Sequence, residues 1–447
     1  MPEETATSPR PTASFRRVLR LQDLILYGII IIQPTAPMPV FGVVSQQARG
    51  HVVTAVLIAM VAMLFTAISY GRMARVYPSA GSAYAYVTNE IHPSLGYLTG
   101  WSITMDYLLN PIICTIWCSK AAGNFLPFIP YPLLAIAFAL LFTVLNLRGI
   151  ETSARLNQWL VYSMGVVVAI FFGYATAYLL RQPHLTGIDF LRPFYDPQTF
   201  SVGALSSGTA IAVLTYIGFD GVSTLSEEVE NPQRNILLAT VLTCLITGVL
   251  ASLEVYAGQL IWPNFRHYPD VDTAFVYVAA RAGGMLLFTI VNLTLLVATV
   301  GSGFGSQLGA ARLLYGMGRD NVIPRKFFGK LDPIRQIPRN NVLFSGALAL
   351  IGALTLSYQL GAELLNFGAF IAFMGVNAAA FIHYCVRQRK RAWTDWLPPA
   401  AGFIVCFYIW LNLSRPAKIT GSIWLCAGLL YGLTRGSLRR RPESAIS

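Results

Sequence analysis

Apolar runs of membrane-spanning length recur along the chain from residue 21 to residue 435, separated by short polar segments. A helix needs about 20 predominantly apolar residues to cross a bilayer. Twelve runs approach that length, at 21–46, 52–76, 96–124, 131–149, 152–181, 201–226, 236–262, 284–314, 341–359, 362–386, 396–413 and 418–435. In hydrocarbon each backbone polar group must be satisfied within its own segment, so these runs predict helices rather than open strands. The expected fold is an all-α integral membrane protein of about 12 transmembrane helices. No Ser/Gly linker or low-complexity block divides it. The pattern predicts a tail at 1–20, one membrane domain at 21–435 and a second tail at 436–447. Within the domain, helices 1–5 fall at 21–181, helices 6–10 at 201–386 and helices 11–12 at 396–435.

Two runs are interrupted. In the first, residues 33–39 read Gln33-Pro34-Thr35-Ala36-Pro37-Met38-Pro39. Proline lacks an N–H and clashes with the preceding turn, so a continuous helix through this stretch is not expected. In helix 6, Gly218 and Gly221 flank Asp220 within Leu214–Gly221, which weakens the helix at membrane depth. Broken backbone at that depth is tolerated only where it lines a cavity or is buried in protein. Interruptions at matching places in two halves point to a transporter's binding site. A five-helix repeat has odd length, so its second copy is inverted. The expectation is a 5+5 inverted repeat with helices 1 and 6 interrupted, followed by two extra helices. The bland alternative is a Pro-kinked helix and a Gly-rich packing helix with no shared role.

Charge narrows the class. The chain has 447 residues, 55% hydrophobic and only 12% charged, with a mean hydropathy of +0.56. Its formal charge of +12 could suggest nucleic acid, but the distribution argues for a bilayer instead. With the N-terminus inside, 24 of the 32 Lys/Arg fall in cytoplasmic segments, 7 in external ones, and Lys120 lies within a span. Clusters at Arg16/Arg17/Arg20, Arg312–Arg339, Arg387–Arg391 and Arg439–Arg441 give a positive-inside bias with both termini cytoplasmic. The first apolar run is too long for a signal-peptide core, so helix 1 is expected to be retained.

Soluble-enzyme chemistry finds little support. His51, His92, His184, His267 and His383 show no metal-ligand spacing. The six cysteines lie in or at the ends of spans and read as packing residues, although Cys114 and Cys118 share a helix face. No phosphate-cradling Gly-Lys-Ser/Thr loop is present, and Gly301–Gly305 suits close helix packing. The expectation is no enzyme, no metal and no cofactor.

Acids inside spans are costly and usually face a cavity or a partner. Asp220 can hold an ammonium group or take a proton; the alternative is a structural acid bonded to nearby backbone. Asp106, midway along helix 3, offers a second cation contact. It cannot pair with Lys120 within that helix, since 14 residues span about 21 Å. Its neighbour Tyr107 can present a ring face or hydroxyl to an amine. Glu254 in helix 7 and Lys120 are weaker candidates, and Lys120 can simply snorkel to the interface. Glu227, Glu228 and Glu230 follow helix 6 and read as a solvated face, with a gating salt bridge to nearby arginines as the sharper reading.

Several segments in order carry a resemblance. They are Tyr77–Tyr84 (YPSAGSAY), Gly96–Trp101 (GYLTGW), Ile217–Asp220 running on to Ser226–Pro232, Ala311–Asp320, and Asn366–Ala369. The chain resembles the amino acid–polyamine–organocation superfamily over nearly its full length. Within it the chain is most similar to bacterial putrescine importers, on Gly28, Pro34, Phe41, Gly42, Phe65–Gly71, Asp106-Tyr107 and Arg319–Val322. The resemblance implies the inverted-repeat fold, a central site between helices 1, 3, 6 and 8, and proton-driven uptake at the inner membrane. It also implies a role for Asp220 in substrate handling or gating, and an aromatic near the substrate pathway at Tyr107. Two departures matter. The helix 1 break is proline-rich where many amino acid permeases are glycine-rich, which removes N–H donors for a substrate carboxylate. Met164 stands where many proton-coupled members carry a helix 5 lysine.

The candidate substrate-binding residues are therefore Pro34, Thr35, Ala36 and Met38 in the first break, Tyr216, Gly218, Phe219 and Asp220 in the second, and Asp106 and Tyr107. Expected partners are a small-molecule substrate, protons and the lipid bilayer, with no nucleic acid. A site poor in donors and supplied with carboxylates suits a diamine such as putrescine better than an amino acid. An amino acid permease remains the alternative.

Overall fold

A computed structural model describes residues 19–78, 82–149, 154–182, 187–226, 229–319, 322–333 and 335–435. Most of both tails, Ser79–Gly81 of the YPSAGSAY segment, His184, Glu227, Glu228, Asp320 and Asn321 lie outside the described residues. The described chain is helical, and no strand occurs in it beyond an isolated bridge between Leu19 and Val229.

In order, the helices are α1 (Leu21–Ile32), α2 (Pro37–Gln47), α3 (Val52–Val76), α4 (Ser82–Glu90), α5 (Pro93–Gly123), α6 (Tyr131–Leu147), α7 (Ala154–Leu180) and α8 (Gly187–Leu191). After these come α9 (Val202–Ala212), two 3-10 segments (Val213–Tyr216 and Phe219–Leu225) and α10 (Pro232–Ile261). The remainder are α11 (Ala274–Arg319), α12 (Arg325–Phe328), α13 (Arg339–Thr355), α14 (Tyr358–Phe381), α15 (Trp393–Leu411) and α16 (Arg415–Arg435). A single π-helical turn, Ile382–Arg387, closes α14, and α11 is kinked at Gly283–Gly284.

Seven described segments are long and apolar enough to cross a membrane, and α1 with α2, bent by 56°, make an eighth. The other expected spans stand out less on these grounds. α6 has only 17 residues, α5 carries Asp106 and Lys120 among its hydroxyls, and α16 starts on Arg415 and Lys418.

Polar residues sit in these helices because most hydroxyls bond back to their own turn. Thr99, Ser102, Thr104, Thr115 and Ser119 of α5 each donate to the carbonyl four residues earlier, so none of these five hydroxyls is left bare in an apolar setting. Between helices, small residues permit close approach. A Cβ at Gly28 would lie 2.5 Å from Thr243 Oγ1 on α10, and one at Gly368 would lie 2.5 Å from the Ser102 carbonyl on α5. α3 and α10 run antiparallel, with Gly248 against Met60 and Gly71 against Leu237. An aromatic knot of Tyr70, Tyr86, Phe219 and Phe373 ties α3, α4, the second 3-10 segment and α14 together, at ring separations of 5.5–6.2 Å.

The first break is narrower than the expected 33–39. It covers Gln33–Ala36, while Pro37 and Pro39 lie in the first turn of α2. Proline is well tolerated there because those N–H groups have no intrahelical partner in any case.

Candidate functional site

The two interruptions meet. Gly218 has φ +116°, a backbone conformation that L side chains rarely adopt, and Ile217 before it is non-helical. A Cβ on Gly218 would run into Ile31 of α1, and one on Gly221 would lie 3.0 Å from the same side chain. Glycine is therefore needed both for the turn and for the close approach of the two broken segments. Gln33, in the first break, reaches the Ala298 carbonyl of α11 at 3.5 Å.

This turn aims Asp220 back at its own backbone. Its carboxylate faces the N–H groups of Gly218, Asp220 and Gly221. Its carbonyl accepts from Ser223 Oγ at 2.6 Å, and Ser223 Oγ lies 2.9 Å from Ser82 Oγ. Asp220 is surrounded by protein yet keeps accessible surface, so it borders a cavity.

Other groups converge on it. Asp106, Tyr70, Tyr86 and Tyr107 all lie within reach of the Asp220 charge, and Tyr107 is also within reach of Asp106 and Tyr27. Tyr107 is 40% exposed although it sits deep in α5, and a Cβ on Gly309 of α11 would lie 3.1 Å from its ring. Two acids with Tyr107 beside them make this a candidate site for a cation, while Tyr70 and Tyr86 are fully buried behind them. Such acids can hold an ammonium group, and the exposed Tyr107 ring can add cation–π attraction.

The expected site residues divide. Asp220, Asp106 and Tyr107 come together. Gly218 shapes the turn, and Phe219 is buried in the aromatic knot behind it. Pro34, Thr35 and Met38 are buried at the break and Ala36 is half-buried. Of the N–H groups around it, Ala36 donates to Gln33 and Met38 to Thr35, both at 3.1 Å, while Pro34, Pro37 and Pro39 have none. Tyr216 does not join the cluster. It is fully buried against Gly248, and its hydroxyl donates to the Val56 carbonyl at 2.9 Å. The reason is that a buried phenol needs a partner, and α3 supplies one away from the acids. Tyr27 beside Tyr107, and the buried Tyr70 and Tyr86 near Asp220, are unexpected neighbours of the candidate site. The only sequence signal was the position of Tyr70 within Phe65–Gly71.

The two ends of the bundle carry their own ion pairs. At one end Lys120 bridges Asp270 (3.2 Å) and Asp272 (3.8 Å), in the segment joining α10 to α11, and lies 6.0 Å from the Tyr131 ring centre. Burial and the neighbouring Asp270 push the Asp272 carboxyl up to about 6, against the pull of Lys120. At the other end Glu90, fully buried, accepts from Tyr77 at 2.7 Å, meets His383 Nδ1 at 2.6 Å and pairs with Arg387 at 3.2 Å. Glu230 makes a long 3.8 Å contact with Arg20, both largely exposed, beside the Leu19–Val229 bridge.

The family described as amino acid permease matches residues 40–434. The low-affinity putrescine importer PlaP of Escherichia coli (strain K12) is 33% identical over 427 residues, covering 93% of each chain. The branched-chain amino acid permease BcaP of Lactococcus lactis subsp. cremoris (strain MG1363) is 26% identical over 465 residues, 96% of each chain. The methylthioribose transporter of Bacillus subtilis (strain 168) is 25% identical over 464 residues, 96% of this chain and 95% of that one. These relatives are transporters rather than enzymes, and the chain belongs to the amino acid permease family within the amino acid–polyamine–organocation superfamily.

Proposed function

We propose that the protein imports putrescine or a related diamine by proton symport with alternating access. In this reading it crosses the inner membrane twelve times, as two inverted five-helix repeats and two further helices, with both termini cytoplasmic. The observation that carries the substrate class is the Asp220 turn. The N–H groups of the second break face the Asp220 carboxylate, and prolines have replaced donors at the first. A substrate carboxylate would find few free donors, whereas an ammonium group meets Asp220, Asp106 and Tyr107. The similarity to PlaP, a putrescine importer, supports a diamine.

An ammonium group entering the cavity loses hydration worth many kcal/mol, and a fixed carboxylate offsets that loss. The second ammonium of a diamine needs a second anion or a wet, aromatic-lined space, and Asp106 and Tyr107 supply these. Closure at either end would then draw on the Lys120–Asp270 and Glu90–Arg387 pairs. The family match and BcaP favour an amino acid substrate as the second reading.

Uptake of labelled putrescine into proteoliposomes tests the coupling. An inward proton gradient in sodium-free buffer is expected to drive accumulation, and an uncoupler to abolish it. Full uptake after uncoupling, with an absolute requirement for sodium, would overturn the symport reading.

A further inference from the structure

Glu254 lies in α10, about two turns before its end at Ile261. It is fully buried, and among the described residues neither carboxyl oxygen has a hydrogen-bond partner. Other acids in the spans differ: Glu363 of α14 accepts from Gln359 and from the Ser414 N–H. Asp220 faces backbone donors and keeps surface toward a cavity, and Asp106 is half-buried within reach of Asp220.

Packing register locates Glu254. Gly28 of α1 contacts Thr243, and Phe41 of α2 contacts Gly258, so α10 runs parallel to the first span. Glu254 thereby falls level with Met38, in the first turn of α2 beyond the break. Met60 of α3 lies on Gly248, which sets Glu254 level with the first turn of α3.

Among the described residues no charged group pairs with Glu254 from the elements packed against α10. α2 has no titratable side chain; Tyr70, Arg72 and Arg75 of α3 lie toward the opposite end of that helix, and His51, which caps its near end, is engaged by the Ala48 carbonyl and the Asp196 N–H. Tyr216 spends its hydroxyl on Val56. Asp23 and Tyr27 of α1 lie on the far side of the break, and Asp220 belongs to the cation cluster. From α7 and α11, Tyr178 accepts from Arg281, and Tyr277 donates to Asn124.

An ionised carboxylate with no partner costs several kcal/mol in such a setting, and a bound proton removes that cost. The same helix packs on α1, α2 and the segment that carries Asp220. A shift of these broken segments during alternating access would therefore bear directly on the surroundings of Glu254.

We propose that Glu254 is the site that binds and releases the coupling proton. This rests on the symport reading above. A carboxylate oxygen of Glu254 takes one proton from water on the loading side and returns it to water on the other, with no bond of the substrate changed.

The test uses the full chain in proteoliposomes with an internal pH dye and putrescine as probe. In the wild type, adding putrescine should acidify the lumen. Glu254→Gln should exchange labelled for unlabelled putrescine while its putrescine-driven proton flux falls by at least about tenfold, equivalent to 1.4 kcal/mol. Proton flux at the wild-type level in that variant overturns the assignment and leaves symport standing. No proton movement in the wild type overturns symport and the assignment with it. Glu254→Asp covers the case in which the glutamine variant is not recovered. It should keep coupled flux with a displaced pH midpoint, and an unchanged midpoint would count against Glu254.

Discussion

Replacing Asp220 by Asn removes one charge from the site while keeping most of its shape. The carboxylate faces three backbone N–H groups, and an amide oxygen can still accept from them, so the turn should survive. What is lost is the anion for an ammonium group. A hydrogen bond to a charged group contributes roughly 1.5–3 kcal/mol net, which corresponds to a loss of about ten- to a hundredfold in affinity. Asp106 remains and holds the loss within that range. Asp220→Glu should retain more activity than Asn. The matching change at Glu230, which is exposed and only loosely paired with Arg20, should do little. The assay is initial uptake of labelled putrescine at matched membrane expression. Normal uptake by Asp220→Asn would mean that the charge is not part of the site.

Glu90→Gln should lower the melting temperature in detergent. Losing one partner of a buried ion pair costs about 3–5 kcal/mol, and the half-exposed Arg387 brings this down to roughly 1–3 kcal/mol; an unchanged melt would show that the pair is not stabilising. Asp272 should give stability a pH dependence. Its carboxyl is raised from 3.8 to about 6 in the folded protein, so its contribution is present below about 3.8 and is lost as pH rises through about 6. Asp272→Asn should flatten the melting temperature across that window. For topology, cysteines introduced at Arg325 and Arg389 should resist an impermeant thiol reagent in intact cells and react after permeabilisation.

Some of this architecture is readable in sequence because its causes are local. Pro34 and Gly218 act through their own backbone, so both breaks can be placed before any packing is known. An acid flanked by glycines at membrane depth likewise marks Asp220 without a partner in view. Where tertiary contact decides, sequence falls silent. Pro37 and Pro39 read as breakers but begin α2, because proline suits a helix's first turn. Tyr216 sits two residues before Gly218, yet the Val56 carbonyl draws its hydroxyl toward α3. Tyr70 and Tyr86 come from α3 and α4 and reach Asp220 only through the fold. Lys120 finds its acids 150 residues away, in the segment between α10 and α11.

The central claim is that this site selects a diamine. Competition against labelled putrescine in proteoliposomes tests it most directly, with unlabelled diamines in one arm and branched-chain and cationic amino acids in the other. The account predicts that diamines displace the label and that the amino acids do so at least about tenfold more weakly. Displacement by an amino acid at lower concentration than by any diamine would contradict it.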